Sequence, residues 1–328
     1  MLFAYRKFTV IVALLLTIGI ALFMTGCTDN AQVKQELLQA VSKQEQIVNY
    51  RFQGSIELKA DASLIGQASP VTAALFALLK DSKIEYKGVS SLEPSRMETT
   101  LNVTPNGGSA IAIPVIIKDS KLFFHMPPLN KQDEYMVLPI ASGLPAASGA
   151  NGSADPLKNT GHLTAELTKQ LLNGIDPKWL VTAKDQATLQ DGTPVKSITI
   201  DVNKKNEQAF NDYLKATVIP GLMNSLKTNG LSNAGTLDSF TASLQQIKLH
   251  APSSINLRIG NDGYIREQTW SLVFATGTST NENKLVWTQT LSEVNQNPAF
   301  TQETPAKQKS LDELLRLVKP APADAGKK

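Results

Sequence analysis

The sequence predicts an α+β fold: one antiparallel β-sheet, strongly curved into a half-open barrel, with helices packed on its concave face. Three observations predict it. Tyr50, Phe52, Ile56, Leu58 and Ala60 alternate with Asn49, Arg51, Gln53, Ser55, Glu57 and Lys59, the period of a long strand with one wet face. Several shorter extended runs follow with turn signals between them. Helical patterns in both halves of the 328-residue chain supply apolar faces to cover the sheet.

Composition narrows the class further. Apolar residues make up 42% and charged residues 19%, which excludes a disordered chain, a coiled coil and a polytopic membrane protein. Aromatic residues reach only 6%, and Lys plus Arg number 32 against 29 for Asp plus Glu, so nucleic acid is not an expected partner.

Residues 1–26 read as a lipoprotein signal peptide. Arg6 and Lys7 precede an apolar run from Phe8 to Met24, broken only by Thr9, Thr17 and Gly19, and the run ends in Met24-Thr25-Gly26-Cys27. Cys27 is the single cysteine of the chain. It stands where a bacterial lipobox places the residue that is acylated on sulfur and becomes the first of the mature chain, so the membrane is the expected partner through acylated Cys27. The alternative is an uncleaved anchor followed by a chance cysteine. Cleavage would leave 30 basic and 29 acidic residues, a nearly neutral surface with little pull toward anionic lipid. It would also leave a domain without disulfides, held by its core alone.

Residues 27–30 form a short tether. Val33, Leu37, Ala40 and Val41 then recur at helical spacing over 31–47, and the long strand follows. The segment Leu64 to Leu79 is apolar on every side, with Ser69-Pro70 as its start signal. Such a helix is a plug buried in the concavity of the sheet, a lid over a lipid cavity or a membrane-touching segment. Strands are expected over 84–89, 96–103, 110–117, 122–125 and 135–140, with Asn106-Gly107-Gly108 at a hairpin tip. Residues 141–159 are small and polar without apolar period and read as a flexible loop.

Beyond the loop the pattern resumes with a helix over 163–172, a strand over 179–189, an Asp191-Gly192 turn and a strand through Ile198, Ile200 and Val202. Phe210, Leu214, Val218 and Leu222 recur every fourth residue after an Asn203 cap, with Pro220 as a kink, and Leu237 to Ile247 is a further helix. Strands return over 255–259, 264–274 and 284–294. The sheet domain thus spans 31–300. Residues 301–328 read as a short helix, capped by Ser310 and Glu313, and a Pro/Ala tail.

Catalytic and metal signatures are absent from the sequence. His125, His162 and His250 are far apart without metal spacing, and there is no nucleophile elbow, P-loop or dinucleotide fingerprint. No cofactor is expected.

The layout resembles the LolA-like and LppX/LprG-like group of envelope lipoproteins and carriers. The residues that carry the likeness are Asp191-Gly192-Thr193-Pro194-Val195 leading to Ile198-Thr199-Ile200-Asp201-Val202, and Asn261-Asp262-Gly263-Tyr264-Ile265 leading to Trp270-Ser271-Leu272. It covers about residues 31–300 and contains no catalytic motif. The resemblance implies an extracytoplasmic, membrane-anchored protein that is not an enzyme and holds a lipid-like molecule in an apolar cavity. The expected lining is Phe52, Ile56, Leu58, Leu75, Leu101, Trp270 and Leu272. A non-catalytic structural or interaction lipoprotein with a filled core is the alternative.

Overall fold

The computed structural model describes residues 29–61, 76, 79–127, 130–131, 133–140, 156–183, 185, 187–228, 241–277 and 281–310. The lipobox Met24-Thr25-Gly26-Cys27, Leu75 with most of the apolar segment around it, and the small polar run up to residue 155 lie outside them.

Helix α1 (Asn30–Gln44) begins where Asp29 accepts the Ala31 N–H, which satisfies a donor that the first turn would leave unpaired. Its apolar stripe, Val33, Leu37, Ala40 and Val41, is buried. Strands β1 (Asn49–Lys59), β2 (Lys83–Leu92), β3 (Ser95–Thr104), β4 (Ile111–Lys118), β5 (Lys121–Phe124) and β6 (Glu134–Pro139) then form an antiparallel meander. The second half adds α2 (Pro156–Asn173), a 3-10 turn (Pro177–Trp179), and strands β7 (Leu180–Thr182), β8 (Ala187–Thr188) and β9 (Pro194–Val202). After α3 (Glu207–Tyr213), a π-turn (Leu214–Val218) and α4 (Ile219–Thr228), the chain closes with β10 (Ile247–Gly260), β11 (Ile265–Thr276), β12 (Asn283–Ser292) and β13 (Lys307–Ser310).

All thirteen strands belong to one open sheet in the order β13-β6-β5-β4-β3-β2-β1-β12-β11-β10-β9-β7, with β8 also on β9. Both halves of the chain therefore build a single sheet, as the sequence predicts. Its joint is β1, which pairs with β2 on one side and β12 on the other.

Several elements differ from the sequence reading. The helix expected over 163–172 starts at Pro156, inside the run read as loop, because proline at the first helical position loses no hydrogen bond. The strand expected over 179–189 breaks into the 3-10 turn, β7 and β8, since Asp176 caps the turn through the Lys178 N–H before extension can begin. Within 207–228 the irregularity is the π-turn rather than a kink confined to Pro220. Tyr213, just before it, donates to the Gln170 carbonyl and accepts the Gly174 N–H, tying this helix to the end of α2.

Residues 307–310 also join the sheet, through a parallel β13–β6 pair that no alternation announces. The strap leading there is fastened by Glu98. One of its oxygens accepts the Thr301 N–H at 2.9 Å, the other the Gln302 N–H at 3.0 Å and an Arg96 Nη2 bond at 2.7 Å. Glu98 is buried, so its removal strands a cation and two backbone donors. Glu98→Ala is expected to cost about 3 kcal/mol of unfolding free energy, measured by urea denaturation.

Candidate ligand-binding face

Residues directly opposite each other in a ladder share a face of the sheet, so the register assigns every side chain. One row runs Leu180, Ile200, Ile255, Trp270, Trp287, Ile56, Ile84, Val103 and Ile111 across nine strands, all apolar. Beside it lie Leu272, Leu285 and Leu58 on one side, and Gly54, Tyr86, Leu101 and Ile113 on the other. A further row carries Leu291, Phe52, Gly88, Thr99 and Val115.

Every charged residue of β1 to β4 and β12 falls on the opposite face. Arg51, Glu57, Lys59, Lys83, Glu85, Lys87, Arg96, Glu98, Lys118 and Lys284 all alternate with the rows above. Five adjacent strands thus present one face without a charge.

That face is closed over β9 and β10, buried again at Val103 and Ile113 of β3 and β4, and less covered between them. Over β9 and β10, Ile198, Ile200 and Leu257 are at most 2% exposed beneath α1, α2 and Phe210. Trp270, Leu272 and Leu285 pack against the rim of this core. Farther along, Phe52, Ile56, Leu58 and Leu101 are only half-buried, and so are Ile84 and Tyr86. Six of the seven residues that the sequence reading placed at a ligand therefore share one face: Phe52, Ile56, Leu58, Leu101, Trp270 and Leu272. The seventh, Leu75, lies outside the described residues.

The sequence reading misses an aromatic belt on the same face. Tyr50 and Phe52 have ring centroids 5.8 Å apart, Phe52 and Tyr86 6.2 Å, and Trp270 and Trp287 5.5 Å. Their polar handles are paired internally: Trp287 Nε1 donates to Tyr86 Oη at 2.7 Å, and Tyr86 Oη donates to the Thr288 carbonyl at 2.9 Å. Trp270 Nε1 donates to Gln268 Oε1, whose amide in turn donates to Gln289 Oε1 at 2.6 Å. The belt thus exposes ring surface rather than unsatisfied N–H and O–H groups.

Two glycines let these rings lie flat across the sheet. Gly54 is opposite Tyr86, where a Cβ would come 2.5 Å from Tyr86 Oη and 2.0 Å from the Thr288 oxygen. Gly88 is opposite Phe52, where a Cβ would come 2.7 Å from the ring. The arrangement is a cross-strand aromatic covering a glycine. Gly54→Ala is expected to lower stability by about 2 kcal/mol or more, since backbone and ring must both yield; differential scanning calorimetry reads the loss.

Burial raises the pKa of both Tyr50 and Tyr86, so the face remains uncharged through the neutral range. For a phenol raised in the folded state, the stabilising contribution is complete below its unfolded pKa and lost as pH rises through the folded one. Stability is expected to hold up to about pH 10 and fall beyond it, with a shallower fall in Tyr86→Phe. Thermal unfolding across the alkaline range measures both.

Among the described residues no three His, Cys, Asp or Glu side chains gather at metal-binding distances. His125 Nδ1 bonds the Glu134 carbonyl, and His250 lies 3.6 Å from Glu207, far from each other in the fold. Arg51, Lys87, Glu98 and Thr301 line a groove that also touches Phe52, Gly88, Thr99 and Val115, at the border between the charged side and the last of the rows above.

No protein-family model matches the chain, and no curated sequence matches it. Three solved structures are similar in overall arrangement. The crystal structure of Mycobacterium tuberculosis lipoprotein LppX is 11% identical, covers 84% of this chain and 100% of its own, and has a TM-score of 0.36. LprF from Mycobacterium bovis is 8% identical over 84% of this chain and 98% of its own, with a TM-score of 0.39. A DUF1329 family protein from Desulfovibrio piger is 8% identical over 84% and 96%, with a TM-score of 0.24. The charge-free face is defined by this chain's own register and burial, independently of these likenesses.

Proposed function

We propose that the protein is a membrane-anchored, extracytoplasmic lipoprotein that holds a lipid-like molecule against the charge-free face of β1 to β4 and β12, beside Trp270 and Leu272 of β11. The observation that carries this reading is the combination of zero charge and incomplete burial on that face. Apolar side chains left half-buried in contiguous rows gain by burial against an apolar ligand, at about 0.8 kcal/mol per methylene taken out of water. A charge there would oppose that transfer, and the register places none. No carboxylate, histidine, lysine or arginine lies on this face of β1 to β4 and β12, and burial keeps Tyr50 and Tyr86 neutral, which favours binding over acid–base catalysis.

The anchor is supported by the order Arg6-Lys7, apolar run, Met24-Thr25-Gly26-Cys27. No helix among the described residues is long and apolar enough to cross a membrane. With Cys27 acylated, attachment would come from the lipid.

The test is native mass spectrometry and lipid extraction of protein made without residues 1–27. Co-purifying acyl lipid is expected, and Ile56→Lys should abolish it while the protein stays folded by circular dichroism, because half-buried Ile56 leaves a lysine able to reach water. Absence of lipid from the parent, together with unfolding of Ile56→Lys, would instead identify a structural lipoprotein whose core is already filled.

A further inference from the structure

The fold also determines which part of the molecule meets the bilayer, given the acylated Cys27 of the proposed function, on which this inference rests. Helix α1 is capped by Asp29, whose carbonyl also accepts the Val33 N–H at 3.0 Å, so the helix cap stands two residues after Cys27. Two residues reach at most ~7 Å. Whatever surrounds the first turns of α1 must therefore lie at the headgroups.

What surrounds them is one edge of the sheet. Lys34 Nζ donates to the Asn173 and Ile175 carbonyls at 2.7 and 2.9 Å, joining the start of α1 to the segment that leads into β7. Val33 and Leu37 are buried in the same core cluster as Leu180 of β7, and α1 packs on both the 3-10 turn and β7. Strand β7 ends the sheet on this side. Its central residue, Val181, is 53% exposed, the one large hydrophobic side chain so exposed among the described residues. Exposed Lys178, three residues earlier, has the long stem and cationic head that suit a membrane interface.

We propose that the β7 edge, with Val181 and Lys178, rests on the lipid bilayer. A bare edge strand with an apolar side chain invites pairing with another chain, and the membrane surface would cover it. The opposite edge contrasts: Lys307 and Lys309 of β13 pair with Asp133 and Glu134, which suits a water-facing border. Because the mature surface is nearly neutral, the contact should form on zwitterionic lipid.

The experiment uses the full acylated protein in phosphatidylcholine vesicles that contain a doxyl-labelled lipid quencher. Acylation consumes the Cys27 thiol, so Val181→Cys, Lys178→Cys and Ala112→Cys each offer one site for a fluorophore. Ala112 is exposed on β4, toward the other end of the sheet. Quenching several-fold stronger at positions 181 and 178 than at 112 is expected. Equal quenching, or stronger quenching at 112, would overturn the proposal. Intact mass of the same samples separates the two levels: an acylated protein quenched at 112 overturns the orientation alone, whereas an unmodified Cys27 overturns the anchor and the orientation with it.

Discussion

Nine consecutive register pairs between β1 and β12, from Arg51 opposite Ser292 to Lys59 opposite Lys284, hold the two halves of the chain in one sheet. Every other feature depends on this ladder. It places Trp287 and Trp270 beside Ile56, and it carries the alternation of β1 into strands more than two hundred residues away. A slip by one residue would turn the whole apolar set outward and draw Arg51, Glu57 and Lys59 onto the helix-covered side. Charges on one face and ring surface on the other make such a slip costly, so the pattern that defines the candidate site also fixes the register.

The helices divide this single face into two environments. Where α1, α2 and α3 lie across β9 to β11, the residues form a conventional dry core around Leu37, Ile200 and Phe210. Along β1 and β2, the same rows continue half-buried. Hydrophobic stabilisation follows the area removed from water, so the first region accounts for the greater share of stability per residue. The second retains apolar area not yet removed from water, the area on which the proposed function rests. The stabilising core and the proposed binding face thus lie along one sheet.

Polar groups at structural joints are treated differently from those on the face. Glu98, Tyr213 and Asn211 each bond backbone atoms of a distant segment: Glu98 the strap at 301–302, Tyr213 the end of α2, and Asn211 both the N–H and carbonyl of Leu249. These contacts position elements that hydrophobic burial alone would leave free to slide. On the apolar face, by contrast, Trp270, Trp287, Tyr86, Gln268 and Gln289 bond mainly to one another, which spares an apolar ligand the cost of covering unpaired donors.

The sequence by itself determined the period-two alternation of β1, the helical stripe of α1 and the hairpin turns, because these are local consequences of spacing and turn chemistry. It also placed Phe52, Ile56, Leu58, Leu101, Trp270 and Leu272 on inward sides of their strands. Only the tertiary structure decided that these sides form one face, since the partner of each strand depends on pairing across the chain. Tyr86 and Trp287 escaped notice for the same reason: each is an ordinary strand aromatic until the register sets them within hydrogen-bonding distance. The strand β13 and the broken stretch after Trp179 carry no apolar period at all. Their conformations follow from a neighbouring edge and a capping aspartate, physical causes that local alternation does not encode.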